Sequence, residues 1–305
     1  MKNYQADIAL LSDPRYAGKP KPGNWYHENM LKDDEPLMEE LQKRGYSSVR
    51  ISWDEKNVDW SIFKCVVFRT TWDYFERYDQ FSVWLEKVNK LTKLCNPLHI
   101  IKWNVDKHYL VDLEKQGIPI VPSRFLEAGS GEQIIQILEE MNWSEGVIKP
   151  CIAGGARLTY RINKENCEHV QQELQKWLDA EAFIIQPFMS HVMEVGEDTL
   201  MVMNGTYTHA IRKVAKPGDF RVQDDYGGTV HKLDPTPEQM ELAEKTMAAC
   251  GELLAYGRVD MVKDNNGNWV LMELEVIEPE LWIRFDTASA SPFADGIVRL
   301  IEANH

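Results

Sequence analysis

Residues 257–276 read GRVDMVKDNNGNWVLMELEV, two apolar-rich runs around a polar turn. With Asn266-Gly267 as a two-residue hairpin turn, Asp260 stands opposite Glu273 and Arg258 opposite Glu275. Side chains alternate along a strand, so these four project from one face and Val259, Met261, Met272 and Leu274 from the other. Directly opposed carboxylates destabilise a strand pair unless a cation stands between them. Mg²⁺, a hard ion that takes carboxylates together with phosphate oxygens, meets that need. The bland alternative is a solvated hairpin with a charged outer face. A different turn length would shift the register and scatter the set.

Working outward, Asn204-Gly205 between DTLMVM and TYTHAIRKV signals a second hairpin, which puts Glu197 opposite Arg212 as an ion pair, with Glu194 just upstream. Lys149 ends the run GVIK and is followed by Ala153-Gly154-Gly155-Ala156, residues small enough for backbone N–H groups to approach an anion. The pattern is not that of a P-loop, and a glycine turn beside an incidental lysine is its alternative reading. Lys107 opens the helical stretch NVDKHYLVDLEKQG, with Asn104 as N-cap and Gly117 at its stop. IPIVPSRF then suits an edge strand. A polar stretch from Ala215 to Asp234 is long enough to be a functional loop. Thr236-Pro237-Glu238-Gln239 opens a helix reaching to near Leu254.

From Asp7 to about Pro97 short apolar runs alternate with helical stretches, the pattern of a parallel-sheet α/β unit without a G-x-G-x-x-G dinucleotide fingerprint. A new unit begins near Ile100. The 305 residues carry 34 Lys plus Arg against 48 Asp plus Glu, a net charge of −14 that disfavours nucleic acid and anionic lipid as partners. Cys65, Cys95, Cys151, Cys167 and Cys250 are scattered and form no C-x-x-C pair, so reduced thiols are expected. No apolar run approaches the roughly 18 residues of a membrane span, and the opening lacks a signal-peptide core. The expectation is a cytoplasmic protein acting on small molecules, with a homodimer left open.

Taken in order, these features resemble the ATP-grasp superfamily, the fold of glutathione synthetase and D-alanine:D-alanine ligase. They are Lys107 before G-I-P, Lys149 before a glycine loop, the hinge I-I-Q-P-F-M, the hairpin with Glu197, and G-R-V-D with E-L-E. FRTTWDY, GDFRVQDDYGG and LMELEVIEPELWIR look most like the small glutathione-synthetase-like branch that contains the cyclo-ligase of cycloserine biosynthesis. The resemblance implies an α/β (α+β) fold: a Rossmann-like pre-ATP-grasp domain over 1–99, then a two-lobed ATP-grasp domain with antiparallel sheets, its lobes over 100–185 and 186–305. It implies ATP with one or two Mg²⁺ ions, Mn²⁺ being an alternative.

By position, Lys107 and Lys149 look like phosphate-contacting lysines, with Gly154 and Gly155 beside them. Gln186, Phe188 and Met189 look like the adenine hinge, Glu197 like the ribose carboxylate, and Glu194 like a neighbour serving the same nucleotide. Asp260, Glu273 and Glu275 fall where the family holds Mg²⁺, although Asn is usual at the last position. Arg258 falls where an arginine stabilises the transferred phosphoryl group. Arg221 resembles a substrate-contacting arginine, and Arg69, Trp72, Asp73 and Tyr74 follow a first-domain strand where α/β sheets present ligands. The same four were weighed as residues packed at a domain interface. The implied activity is an ATP-dependent C–N ligase or cyclo-ligase acting on a small amino acid derivative, with an ATP-grasp kinase and a non-catalytic nucleotide-binding protein as alternatives. The loop from Lys216 to Gly228, with Gly218, Gly227 and Gly228, is the expected lid.

Overall fold

The strand β1 (Ile8–Ser12) is buried along its whole length, and its alternate residues serve two different cores. Ile8 and Leu10 join Leu37 and Leu41, while Ala9 and Leu11 join Trp53, Phe68 and Phe81. A strand covered on both faces belongs in a parallel sheet. In the computed structural model, which describes residues 4–222 and 227–303, β1 pairs in parallel with β2 (Ser48–Ser52) and β3 (Cys65–Thr70), and β3 with β4 (Lys93–Cys95). The order is β2-β1-β3-β4, and α1 (Trp25–Lys43) and α2 (Tyr78–Asn89) carry the chain between strands.

Two helices follow, α3 (Leu98–Asn104) and α4 (Tyr109–Lys115). Asn104 does not cap the second of them, as the sequence suggested; it ends the first and serves a later strand, described below. The second sheet is antiparallel, in the order β5-β8-β6-β7. It is formed by β5 (Arg124–Leu126), at its edge but starting only after Pro119 and Pro122, β6 (Glu145–Pro150), β7 (Tyr160–Asn163) and β8 (Phe183–Pro187). The helices α5 (Ile134–Glu140) and α6 (Cys167–Leu178) cover one face through Ile148, Ile162, Phe183 and Ile185. Val147, Lys149 and Gln186 line a cavity on the other side.

After α7 (Ser190–Glu194) comes the largest sheet, in the order β11-β10-β9-β12-β13. Its strands are β9 (Glu197–Met203), β10 (Thr206–Val214), β11 (Thr229–Leu233), β12 (Tyr256–Lys263) and β13 (Trp269–Glu275). Asn204 and Gly205 both have positive φ, as a type I′ turn demands. The helix α8 (Pro237–Ala248) starts on the expected Thr236–Gln239 capping box but stops short of Leu254, with Gly251 at φ +83° just beyond.

β13 is an edge strand, yet its outer backbone groups are covered. Asn104 donates to Leu274 O (2.8 Å) and accepts from Val276 N–H (3.1 Å), and the Tyr109 hydroxyl accepts from Leu274 N–H (2.8 Å). The last helix, α9 (Ala290–Glu302), returns to the first sheet: Phe293, Ala294 and Ile297 share a core with Ile8, Leu10, Met201 and Tyr256. Of the expected lid, Gln223 to Tyr226 lie outside the described residues. No helix among the described residues is long and apolar enough to cross a membrane.

Candidate active site

The pairs Asp260/Glu273 and Arg258/Glu275 are present in the β12–β13 register, reached by another route than a two-residue turn. The turn is longer, with Asp264 N–H bonded to Asn268 O and Lys263 paired with Trp269. A bulge next to Asp260 and Met261 takes up the one-residue slip. The residue displaced by the bulge is Met272. Expected on the core face, it lines the cavity, and Leu271 stands opposite Met261 instead.

The β9–β10 hairpin has a similar irregularity around Thr208, with nothing to compensate it. Glu197 therefore faces Lys213, and Arg212 faces Asp198, gripping it through Nε–Oδ1 (2.6 Å) and Nη2–Oδ2 (2.9 Å). The expected Glu197–Arg212 pair is not formed. Lys213 takes its place, ion-paired with Glu197 and 3.1 Å from Asp260 Oδ2. No sequence signal marked Lys213, because a bulge leaves side-chain order unchanged.

One face of the large sheet thus carries Glu197, Thr199, Lys213, Arg258, Asp260, Glu273 and Glu275 on four adjacent strands. Asp260 accepts from Thr199 Oγ1 (2.8 Å) and from Arg258 Nε (3.1 Å) and Nη2 (2.8 Å). Arg258 also grips Glu275, and Lys107 Nζ lies 2.8 Å from Glu273 Oε1. Burial would raise both Glu273 and Asp260. Lys107 and Lys149 nevertheless hold Glu273 at about 2, and Arg258 with Lys213 holds Asp260 well below the usual carboxylate range. Glu275 goes the other way: burial, reinforced by Glu273 and Asp260, pushes it up to about 7 despite Arg258. Burial lowers the Lys149 ammonium.

This face borders a cavity of about 680 Å³, within the range of small-molecule sites. Lys107, Lys149, Gly154, Gly155, Gln186, Phe188, Met189, Trp72, Tyr74 and Arg221 also line it. Lys107 Nζ donates to Ala153 O (3.2 Å), tying the lysine to the glycine loop. Gln186 donates to Ser123 Oγ (3.0 Å), and the Arg161 guanidinium lies 3.9 Å over the Phe188 ring. Arg221 is clasped by Asp219 at 2.8 and 3.1 Å.

Three expected residues stand off the cavity lining. Arg69 is buried against Asp34 (Nε–Oδ1 2.7 Å), where the first sheet packs on α1. Asp73 accepts from Trp53 Nε1 (2.7 Å) and pairs with Arg77 (2.8 Å), fastening its own loop. Glu194 is exposed at the end of α7. Glu278 and Glu280, which the sequence reading passed over, do line the cavity; their signal was their place directly after the acidic strand.

Gly154 earns its place sterically: a Cβ there would lie 2.7 Å from Phe75 Cε1 of the first unit. Gly154→Val is expected to displace the loop and cost about 1–3 kcal/mol, as overpacking does. A urea melt would read the loss as a lower midpoint, with an unchanged midpoint as the contrary result.

Residues 106–281, more than half the chain, match the model of the RimK-like ATP-grasp domain. The chain belongs to the RimK-like ATP-grasp family. Residues 8–96 match the N-terminal domain of D-cycloserine synthetase DcsG. Over the chain as a whole it is 29% identical to the cycloserine biosynthesis protein DcsG of Streptomyces lavendulae, across 88% of this chain and 94% of the relative. The crystal structure of D-cycloserine synthetase DcsG superposes with a TM-score of 0.82 at 27% identity, covering 97% of this chain and 99% of that one. D-alanine–D-alanine ligase from Bacillus anthracis complexed with ATP shares the fold, with a TM-score of 0.66 at 15% identity and 97% of each chain covered. This ATP-grasp protein is accordingly an ATP-binding, C–N bond-forming ligase.

Proposed function

We propose that this ATP-grasp ligase phosphorylates a carboxylate or ureido oxygen of a small amino acid derivative and joins the activated carbon to an amine, in an intramolecular ring closure or between two molecules. The observation that carries the reading is the convergence of Asp260, Glu273 and Glu275 with Arg258, Lys107 and Lys149 around one cavity. Full-length similarity to D-cycloserine synthetase supports the ring-closing version.

A carboxylate oxygen leaves poorly until it carries a phosphoryl group. Lys107 and Lys149 offset the charge of the ATP phosphates, and Gly154 and Gly155 allow the chain to come close to them. Gln186 to Met189 holds the base and Glu197 the ribose. Arg258, fixed by two carboxylates, stabilises the phosphoryl group in transfer. An amine then attacks the acyl carbon, the C–N bond forms, and inorganic phosphate leaves with the C–O electron pair. The aromatic walls of the cavity keep water from the acyl phosphate.

The donor set fits Mg²⁺. All three candidate ligands are carboxylates, and Glu275, held near 7 by burial and by its two acidic neighbours, is a group that a cation would relieve. Asp260, Glu273 and Glu275 would hold one ion or two, which would supply positive charge to screen the nucleotide phosphates.

A testable pH effect follows. A carboxyl raised above its ordinary 4.5 contributes stability below that value that is lost as pH rises through about 7. Mg²⁺ binds the ionised form and offsets this loss. The Mg²⁺-induced rise in melting temperature is expected to be larger at pH 8 than at pH 6; an equal rise would count against Glu275 as a ligand.

The reading is tested by following ADP and free phosphate from ATP and Mg²⁺ across amino acids and ureido derivatives, with and without added amine. Equal release of both, confined to particular acids, is the expected result. ADP without phosphate would mean a kinase, and no ADP above a Glu273→Gln control would overturn the reading.

A further inference from the structure

Asp106 and His108 flank Lys107 in the turn between α3 and α4, and Cys151 directly follows β6. All three stand off the cavity lining. A carboxylate oxygen of Asp106, a ring nitrogen of His108 and Cys151 Sγ nevertheless lie within 4.8 Å of one another. The backbone already ties the two segments together, with Lys107 N–H donating to Cys151 O (3.0 Å). The imidazole is held on three sides. It stacks on Phe125 at 4.2 Å and 23°, its Nδ1 lies 2.6 Å from Asp106 Oδ1, and its Nε2 lies 3.2 Å from Glu127 Oε1. An Nε2–H donated to Glu127 leaves the Nδ1 lone pair on the side of Asp106, the arrangement by which outer carboxylates orient metal-binding histidines.

An Asp–His pair at this exposure is worth little by itself. What sets the cluster apart is the buried sulfur at its base. Thiolate and imidazole select Zn²⁺ or Co²⁺, whereas Mg²⁺ seeks oxygen alone. Bonds of about 2.0–2.3 Å keep tetrahedral ligand atoms roughly 3.3–3.7 Å apart, so the three donors need close by only about 1 Å. Asp106 and His108 are part-exposed and can turn inward, and their open side gives an ion its way in and a water its place as fourth ligand. Burial, with Asp106 beside it, pushes the Cys151 thiol up. A coordinated thiol is deprotonated outright, and its proton passes to solvent.

We infer that Asp106, His108 and Cys151 form a second metal site, for Zn²⁺ or another borderline-soft divalent cation, with Glu127 as the carboxylate that positions the imidazole. Its donors differ in kind from the all-oxygen set of Asp260, Glu273 and Glu275, so the two sites sort different ions. An ion bound here joins the Lys107 turn to the start of the glycine loop, a second tie beside the bond from Lys107 Nζ to Ala153 O. The site does not depend on the ligase reading.

The test titrates the full chain with Co²⁺ in a large excess of Mg²⁺, which occupies oxygen sites, and follows absorption. The expected result is one Co²⁺ per chain with a thiolate-to-metal charge-transfer band and the visible bands of a tetrahedral ion, all bleached by one equivalent of Zn²⁺. Cys151→Ser should abolish the charge-transfer band. His108→Ala and Asp106→Asn should each weaken binding at least tenfold, and Glu127→Gln about tenfold. Cys167→Ser, in a different core, should leave the spectrum unchanged. Because Cys151 is buried, the part-exposed His108 and Asp106 variants carry the test if Cys151→Ser does not fold, and a urea melt without metal shows which variants are folded. No charge-transfer band in the parent, a band that survives Cys151→Ser, or an affinity unmoved by both His108→Ala and Asp106→Asn would overturn the inference.

Discussion

Glu273→Gln is expected to lower substrate-dependent ADP formation by about 10²–10³-fold, the scale on which a preorganised charge at a reacting centre acts. The substitution preserves shape and the strand, and removes one negative charge from between Lys107 and Asp260. Gln keeps an acceptor for Lys107 but not the negative charge of its 2.8 Å partner, so the effect reaches the glycine loop through the bond to Ala153 O. ATP binding should fall much less than turnover, because Lys149 and the hinge segment are untouched. Initial-rate kinetics with a nucleotide-binding titration separate the two. A variant that turns over within threefold of the parent would remove Glu273 from the reaction.

Asn96→Ala carries the largest expected cost in stability, about 3–5 kcal/mol. This one buried side chain donates to Tyr256 O (2.9 Å) and Val276 O (2.8 Å) and accepts from Ala255 N–H (2.9 Å), joining the end of β4 to β12 and to the residue after β13. Truncation strands three buried backbone groups, each costing on the order of 1–3 kcal/mol when left unpaired, though not additively. Urea denaturation followed by tryptophan fluorescence should show the midpoint falling. Asn96→Asp should fall as well, since it keeps the acceptor for Ala255 but turns both donor contacts into repulsions. A loss under 1 kcal/mol for Asn96→Ala would mean that water replaces the amide.

How much of this was legible in the sequence depended on whether the signal was periodic. Alternation gave the charged face of β12 and β13, and the glycine and proline punctuation gave most elements. The residues that went astray did so through single-residue irregularities. Two departures in the β12–β13 hairpin, a longer turn and a bulge, cancel at Asp260 and Glu273, so the pairs came out right while Met272 did not. The bulge near Thr208 has no partner to cancel it, and there the wrong cation was assigned. Arg69 and Asp73 share a strand end and loop with Trp72 and Tyr74, and spacing could not say which of the four would be tied back into the fold by Asp34, Trp53 and Arg77. Cys151 meets Asp106 and His108 only through tertiary packing, which no local pattern encodes.

The return of α9 to the first sheet bears on the birth of the molecule. Ile8, Leu10 and Cys65 share one apolar cluster with Leu281, Ile283, Phe293 and Ile297, residues translated long after the first sheet. At about 5–20 residues per second, the ribosome leaves that face of the early unit without its cover for roughly 10–40 s after β4 is made. The first sheet therefore emerges as a half-finished sandwich, greasy on one side, and its completion waits on the synthesis of residues 281–297. Nascent chains halted before residue 281 should be the form that chaperones bind and that aggregates.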